Sequence, residues 1–242
     1  MAAVISALLI HGHQSSSASW WRVAKELRAQ GWRVITPDLP GHGQGPRLPL
    51  SRASVDALVD ALVGSLQPSP AHRFDVVVGH SLGAVIGLQL AARGIVVPEV
   101  LVLEEPPVPL NSEERQLKVR DLRARVAQAR AGDPGEAVRL QLSLHPRWEW
   151  RDAQVVIGNR RLLDLDFCEE LVRCADWDLA ELASRCPAPI DLILARGSRP
   201  EPEPPPQLGA VKPRRFARMG SEHNVHRSQP SEWCDFVRAA AS

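Results

Sequence analysis

Phe74-Asp75-Val76-Val77-Val78-Gly79-His80-Ser81-Leu82-Gly83-Ala84-Val85-Ile86-Gly87-Leu88-Gln89-Leu90-Ala91-Ala92 sets an apolar, valine-rich run directly against a run of helix-like residues, with a serine between two glycines at the join. The change of pattern predicts a strand that turns sharply into a helix at Ser81. Glycines two positions to either side let strand and helix approach, and the turn would hold the serine in an unfavourable backbone conformation. This is the pattern of a nucleophile elbow. It would expose the Ser81 hydroxyl at the carboxyl edge of a sheet and aim the Leu82 N–H, at a helix N-terminus, at a developing oxyanion. The plain alternative is a tight Gly-Ser turn with no chemistry, and the strand before and helix after the motif count against it.

Outward from the elbow the same alternation repeats. Ala7-Leu8-Leu9-Ile10 reads as a buried strand, residues 18–30 as a helix closed by Gly31, and Trp32-Arg33-Val34-Ile35-Thr36 as the next strand. Val55, Leu58, Val59, Leu62, Val63 and Leu66 form the apolar stripe of a helix packed on a sheet. Val100-Leu101-Val102-Leu103 follows the elbow helix. Continuously apolar strands alternating with amphipathic helices imply a doubly wound, mostly parallel α/β sheet with helices on both faces. Between Pro106 and about Asp176 the strand signal stops. Asn111-x-x-Glu114 and Asp133-Pro134-Gly135-Glu136 read as helix starts, and further helices are expected over Trp148–Leu163 and Asp166–Cys174. Strands resume at Ile190–Leu194 and Arg214–Arg218, the last helix begins near Pro230-Ser231, and Pro200–Pro206 reads as a stiff loop. The expected organisation is a core of residues 1–106 and 177–242 with residues 107–176 inserted as a helical cap over the elbow.

With 242 residues, 44% of them hydrophobic, the chain suffices for one domain with a sizeable core. Net charge is +1, and the basic residues are scattered rather than massed on one helix, which gives no reason to expect nucleic acid or a membrane surface as partner. Lysine occurs only at positions 25, 118 and 212, a bias read as genome base composition rather than anion recognition. Cys168, Cys174, Cys186 and Cys234 lack metal-ligand spacing and are expected to be free thiols in a reducing compartment. The apolar start of the chain ends at His11, without a basic stretch before it, so a soluble cytoplasmic protein is expected. His11 and His13 would point to opposite faces of one extended segment, with no third ligand suggested, so no metal is expected.

Four segments together resemble the α/β-hydrolase superfamily: His11-Gly12-His13, Asp38-Leu39-Pro40-Gly41-His42-Gly43, the elbow, and Gly220-Ser221-Glu222-His223-Asn224-Val225-His226. Their order and spacing match across nearly the whole chain. The form resembled is the shorter one of plant hydroxynitrile lyases and methylesterases, which implies a sheet of six strands. The resemblance also implies a Ser-acid-His triad and an oxyanion hole shared between Leu82 and the Gly12-His13 loop, with His13 contributing its backbone N–H. His223 is placed as the base, His226 as a surface residue of the following turn, His42 as structural, and His11 as a support beneath the oxyanion loop.

The family's usual acid position, after the strand Ile190–Leu194, holds Pro200 instead of aspartate. Glu104 and Glu105 end the strand after the elbow helix, where some members, such as the zearalenone lactone hydrolases, carry a glutamate. Glu105 precedes Pro106 and is expected to be extended and to point into the site, with Glu104 on the opposite face. Glu105 is favoured, and Glu104, Glu201 and Asp191 stay open. The resemblance implies cleavage of a carboxylic ester, lactone or thioester of a small hydrophobic molecule through an acyl-enzyme, with no cofactor. Cleavage of a C–C bond or cyanohydrin, acyl transfer, and a slow-turnover ligand receptor are the alternatives on the same fold. Trp148, Trp150 and Trp177 are candidates for the substrate pocket, or anchors of the cap to the sheet.

Overall fold

The computed structural model describes residues 4–66, 72–197 and 208–241. Six strands form one sheet: β1 (Ser6–Ile10), β2 (Arg33–Ile35), β3 (His72–His80), β4 (Val96–Glu104), β5 (Ile190–Leu194) and β6 (Arg215–Arg218). Their spatial order is β2-β1-β3-β4-β5-β6, and every pairing is parallel. β1, β3, β4 and β5 are interior strands, and β1 and β5 have every residue buried, because both faces of the sheet are covered.

Strand parity divides the core. Leu8, Ile10, Val77, Leu101, Leu103, Leu192 and Leu194 pack on one face with residues of α2 (Val55–Ser65), α3 (Leu82–Ala92) and α8 (Leu179–Arg185). Ala7, Leu9, Val76, Val78, Val100 and Val102 pack on the other with α1 (Trp21–Ala29) and α10 (Pro230–Ala240). Nearly every residue of α3 is buried, which explains why the elbow helix is apolar all round rather than striped: it lies between the sheet and its neighbouring helices.

Between β4 and β5 the chain is helical. α4 (Ser112–Ala131) opens with a reciprocal capping box between Asn111 and Glu114, and α5 (Pro134–Leu144) starts with proline after the Asp133 cap, as the sequence indicates. α6 (Trp150–Leu162) and α7 (Leu165–Arg173) follow. Ala129, Val138, Ala153 and Ile157 give α4, α5 and α6 a small core of their own. α9 (Val225–Ser228) is the short turn expected around His226. The Pro200–Pro206 loop and Glu201 lie outside the described residues.

The elbow imposes a close approach. A Cβ on Gly79 would overlap the carbonyl of Gly83, and one on Gly83 would overlap the carbonyl of Ile10. Both obstacles are backbone and cannot rotate aside. Gly83→Val is therefore expected to destabilise the fold by at least about 3 kcal/mol, the upper end for overpacked cores, or roughly 6–12 °C in Tm for a domain of this size. Thermal unfolding followed by circular dichroism measures this. An unchanged Tm would mean that β1 and α3 are not in contact at this point.

Candidate active site

Three non-glycine residues have positive φ among the described residues: Gln14 at 61°, Ser81 at 51° and Glu105 at 48°. They lie just beyond the carboxyl ends of β1, β3 and β4, three adjacent strands, so the backbone strain of the molecule gathers at one edge of the sheet. Ser81 leaves β3 at φ 51°, ψ −118° and becomes the N-cap of α3. Its N–H donates to the Glu104 carbonyl at 2.9 Å, which ties the elbow to the end of β4. The N–H of Leu82, first in α3, belongs to the helical turn that lacks internal acceptors.

Glu105 departs from the extended conformation expected before proline. Extended, it would share the α3 face with Leu101 and Leu103; φ of 48° takes it out of that alternation. Its buried carboxylate accepts the N–H of Ala195, beyond the end of β5, at 2.7 Å through Oε1 and faces His223 Nδ1 at 3.1 Å through Oε2. A carboxylate accepts, so Nδ1 of His223 carries the proton and Nε2 is left as the basic nitrogen. Ser81 Oγ makes no hydrogen bond to a described residue, but Ser81 and His223 line the same cavity, of about 500 Å³. Catalytic hydrogen bonds are commonly long without substrate and close in the complex.

Glu104 does something different. Oε1 accepts both the backbone N–H (3.0 Å) and the Nδ1–H (2.8 Å) of His226, and Oε2 accepts the indole N–H of Trp233 at 2.9 Å. Burial pushes this carboxyl above its ordinary range and holds the His226 imidazole well below its own. His226 is 1% exposed, against the surface position expected for it. Three residues beyond His223, it anchors the segment that carries the base.

His80, between the first glycine and the serine of the elbow, is a site residue that the sequence reading passed over. Its Nε2–H donates to the His223 carbonyl at 2.9 Å, because a carbonyl can only accept, and the ring is buried. The elbow therefore holds the loop of the base as well as the serine. His11 donates from Nδ1 to the Gly12 carbonyl at 2.8 Å and accepts the Leu39 N–H at 3.0 Å, a brace beneath the Gly12-His13 loop. A Cβ on Gly12 would lie 3.0 Å from that of Ser81, so the loop runs directly against the nucleophile position. His13 donates from Nε2 to the Cys168 carbonyl at 3.1 Å and leaves Nδ1 buried with no hydrogen-bond partner among the described residues.

Of the three tryptophans, Trp148 lines the larger cavity, and Trp177 lines a narrower apolar recess of about 40 Å³ that also touches Ser81. Trp150, expected at the pocket, is 47% exposed at the start of α6 and lines neither hollow. Asp191, the other acid open from the sequence, is engaged by Arg214 in a two-pronged ion pair at 2.9 and 2.8 Å and is unavailable to His223.

The sequence matches the alpha/beta hydrolase family over residues 7–236. The chain belongs to that family. It is 35% identical over 130 residues to lipase LipV of Mycobacterium tuberculosis, a match that covers 54% of this chain and 47% of that protein. It is 41% identical over 86 residues to a pimeloyl-[acyl-carrier protein] methyl ester esterase of Chromobacterium violaceum, covering 36% and 31%. The chain thus spans less than half the length of these curated relatives. Among solved structures, the esterase RhEst1 from a Rhodococcus species superposes with a TM-score of 0.72 at 21% identity, covering 98% of this chain and 90% of that one.

Within this alpha/beta hydrolase, two clusters bring possible metal ligands within 4.8 Å of one another: His13, His42 and Cys168, and His80, Glu104 and His226. The first sets His13 beside His42 and Cys168, not beside His11. Burial pushes the Cys168 thiol far up, and it lies 3.6 Å from His42 Nε2 as a thiol donor. Glu104 is already engaged by three donors. Both clusters are hydrogen-bond networks. The four cysteines are unpaired, and among the described residues no helix is long and apolar enough to cross a membrane.

Four buried imidazoles make the fold sensitive to acid. Burial lowers His11 to about 4 and holds His42, His80 and His226 well below the ordinary histidine value. The folded protein keeps them neutral while the unfolded chain takes up protons below about pH 6.5. Their contribution is complete above that pH and is lost as pH falls toward 4, by at most about 1.4 kcal/mol per unit for each ring. The raised Glu104 works in the opposite direction and offsets part of the loss. The urea midpoint should fall steeply between pH 6.5 and 4. A flat profile would mean that these rings are charged or solvated in the fold.

Proposed function

We propose that this chain is a serine hydrolase that cleaves a carboxylic ester, lactone or thioester through an acyl-enzyme. Ser81 is the nucleophile, His223 the general base, and Glu105 the acid that fixes the imidazole tautomer and stabilises the imidazolium. The observation that carries the reading is the 3.1 Å contact between His223 Nδ1 and the buried Glu105 carboxylate, which leaves Nε2 basic on a residue that lines one cavity with Ser81.

In the first half-reaction His223 Nε2 takes the Ser81 proton as Oγ attacks the carbonyl. Negative charge gathers on the carbonyl oxygen, where the N–H groups of Leu82 and His13 stabilise it. The imidazolium returns its proton to the leaving alcohol or thiol. Water, activated by the same nitrogen, then releases the acid. Residues 107–176 serve as the cap of the site, since Lys118 and Arg125 of α4 and Gln141 of α5 line the cavity that holds Ser81. The names of two relatives, a lipase and a methyl ester esterase, support ester chemistry.

A fluorophosphonate probe is expected to label Ser81, and Ser81→Ala to lose both labelling and hydrolysis of 4-nitrophenyl esters while unfolding at the wild-type temperature. Glu105→Gln should lower kcat on the order of 10²–10⁴-fold with KM little changed, by analogy with triads whose acid is made neutral. Glu104→Gln should instead cost about 1–3 kcal/mol of stability, since it deprives buried donors of their acceptor, and should cost far less activity at matched stability. Labelling at another residue, or full activity in Ser81→Ala, overturns the proposal. A crippling Glu104→Gln beside a near-normal Glu105→Gln would reassign the acid.

A further inference from the structure

The two hollows that meet at Ser81 differ in chemistry. The narrow recess is walled mainly by Leu82, Val108, Leu110, Leu171, Val172 and Trp177, with Lys118 at the margin it shares with the larger cavity. The larger cavity carries four cationic side chains, Lys118 and Arg125 from α4, Arg160 from α6 and Arg227 from α9. Its acid is Glu222, whose carboxylate lies 3.0 Å from His145. Among the described residues none of the four cations has a carboxylate within ion-pair distance.

Arg227 is the decisive member. It is 2% exposed, and among the described residues its guanidinium Nε and Nη1 have no hydrogen-bond partner, while Nη2 makes one long contact, 3.4 Å to Ser15 Oγ. The guanidinium lies 5.1 Å from the centre of the Trp148 ring, which orients it without neutralising it. Asp152, Glu104 and Glu222 bear on it electrostatically, yet burial still lowers it to about 10. Arg160, half-buried nearby, is lowered to about 10 as well by burial and by Arg125. A buried guanidinium with unused donors carries a large desolvation cost unless an anion completes it. Three further cations around the same cavity repel one another and add to the attraction for an anion.

We propose that the substrate of this site is an anion: an ester or thioester whose far end carries an oxyanionic group, a carboxylate or a phosphate, received by Arg227 and Arg160, while an apolar portion occupies the recess beside Trp177. The proposal rests on the serine-hydrolase reading for its reacting carbonyl and narrows the expectation of a hydrophobic substrate to one that is apolar at one end only. A guanidinium fork pairs with a carboxylate or a phosphate in two-pronged fashion, and one such charged contact corresponds to about 10–100-fold in affinity.

The test compares charged and neutral isosteres. The 4-nitrophenyl monoester of adipic acid is expected to exceed 4-nitrophenyl hexanoate in kcat/KM by at least about tenfold, or 4-carboxyphenyl hexanoate to exceed 4-methylphenyl hexanoate if the cationic cavity takes the leaving group. Arg160→Gln and Arg125→Gln, on more accessible positions than Arg227, should lower that ratio severalfold. Inhibition by adipate against inorganic phosphate separates the two anion types. Independently of turnover, Ser81→Ala should bind monomethyl adipate at least about tenfold more tightly than methyl hexanoate by calorimetry. Ratios near one in both arms, with Ser81 still labelled by a fluorophosphonate, overturn the anionic substrate and leave the hydrolase reading standing. Equal binding of the two methyl esters by Ser81→Ala overturns it whatever the activity.

Discussion

Two adjacent carboxylates at the end of β4 hold the segment that carries the base from both sides. Glu104 keeps the parity of the strand, lies on the face of α10, and takes three N–H donors from His226 and Trp233. Glu105 breaks that parity with a φ of 48° and reaches Ala195 and His223 instead. The position of His223 therefore follows from the strand that neighbours the elbow, and Ala195, just past the end of β5, steadies the Glu105 carboxylate with its backbone N–H. His80 closes the arrangement from the elbow side through the His223 carbonyl.

The cost of this arrangement is local strain and buried polarity. Left-handed backbone at Gln14, Ser81 and Glu105 costs on the order of 1–3 kcal/mol at each, and neutral imidazoles must be kept dry beneath the site. Two packed layers of aliphatic side chains, one on each face of a fully parallel sheet, sustain it. The three strained positions sit where β1, β3 and β4 end side by side, which is where an open α/β sheet presents side chains to a ligand.

Much of this was legible in the order of residues. The elbow, the apolar strands, the capping box at Asn111 and the proline start after Asp133 are local signals, and local chemistry decides them. The direction of Glu105 was not local: the proline after it argued for extension, and the tertiary pull of Ala195 and His223 favours another conformation. His226 looked exposed because its partners, Glu104 and Trp233, are distant in sequence or lie on another element. Trp150, a pocket candidate as one of three cap tryptophans, is 47% exposed at the start of α6, an outcome set by how that helix packs. Lys118, Arg125, Arg160 and Arg227 seemed scattered, and no pattern within one helix joins them; only the packing of α4, α6 and α9 around the sheet edge brings their charges into one cavity.

The central claim is that Glu105 fixes one tautomer of His223, with the proton on Nδ1 and a bare Nε2. Long-range ¹H–¹⁵N correlation spectra of the histidine side chains, recorded in mildly alkaline solution, read that tautomer directly. The account predicts a donor nitrogen at Nδ1 and an unprotonated Nε2 for His223 in the wild type, with the distinction lost in Glu105→Ala. A His223 that carries its proton on Nε2, or that keeps the same tautomer when Glu105 is removed, would contradict it.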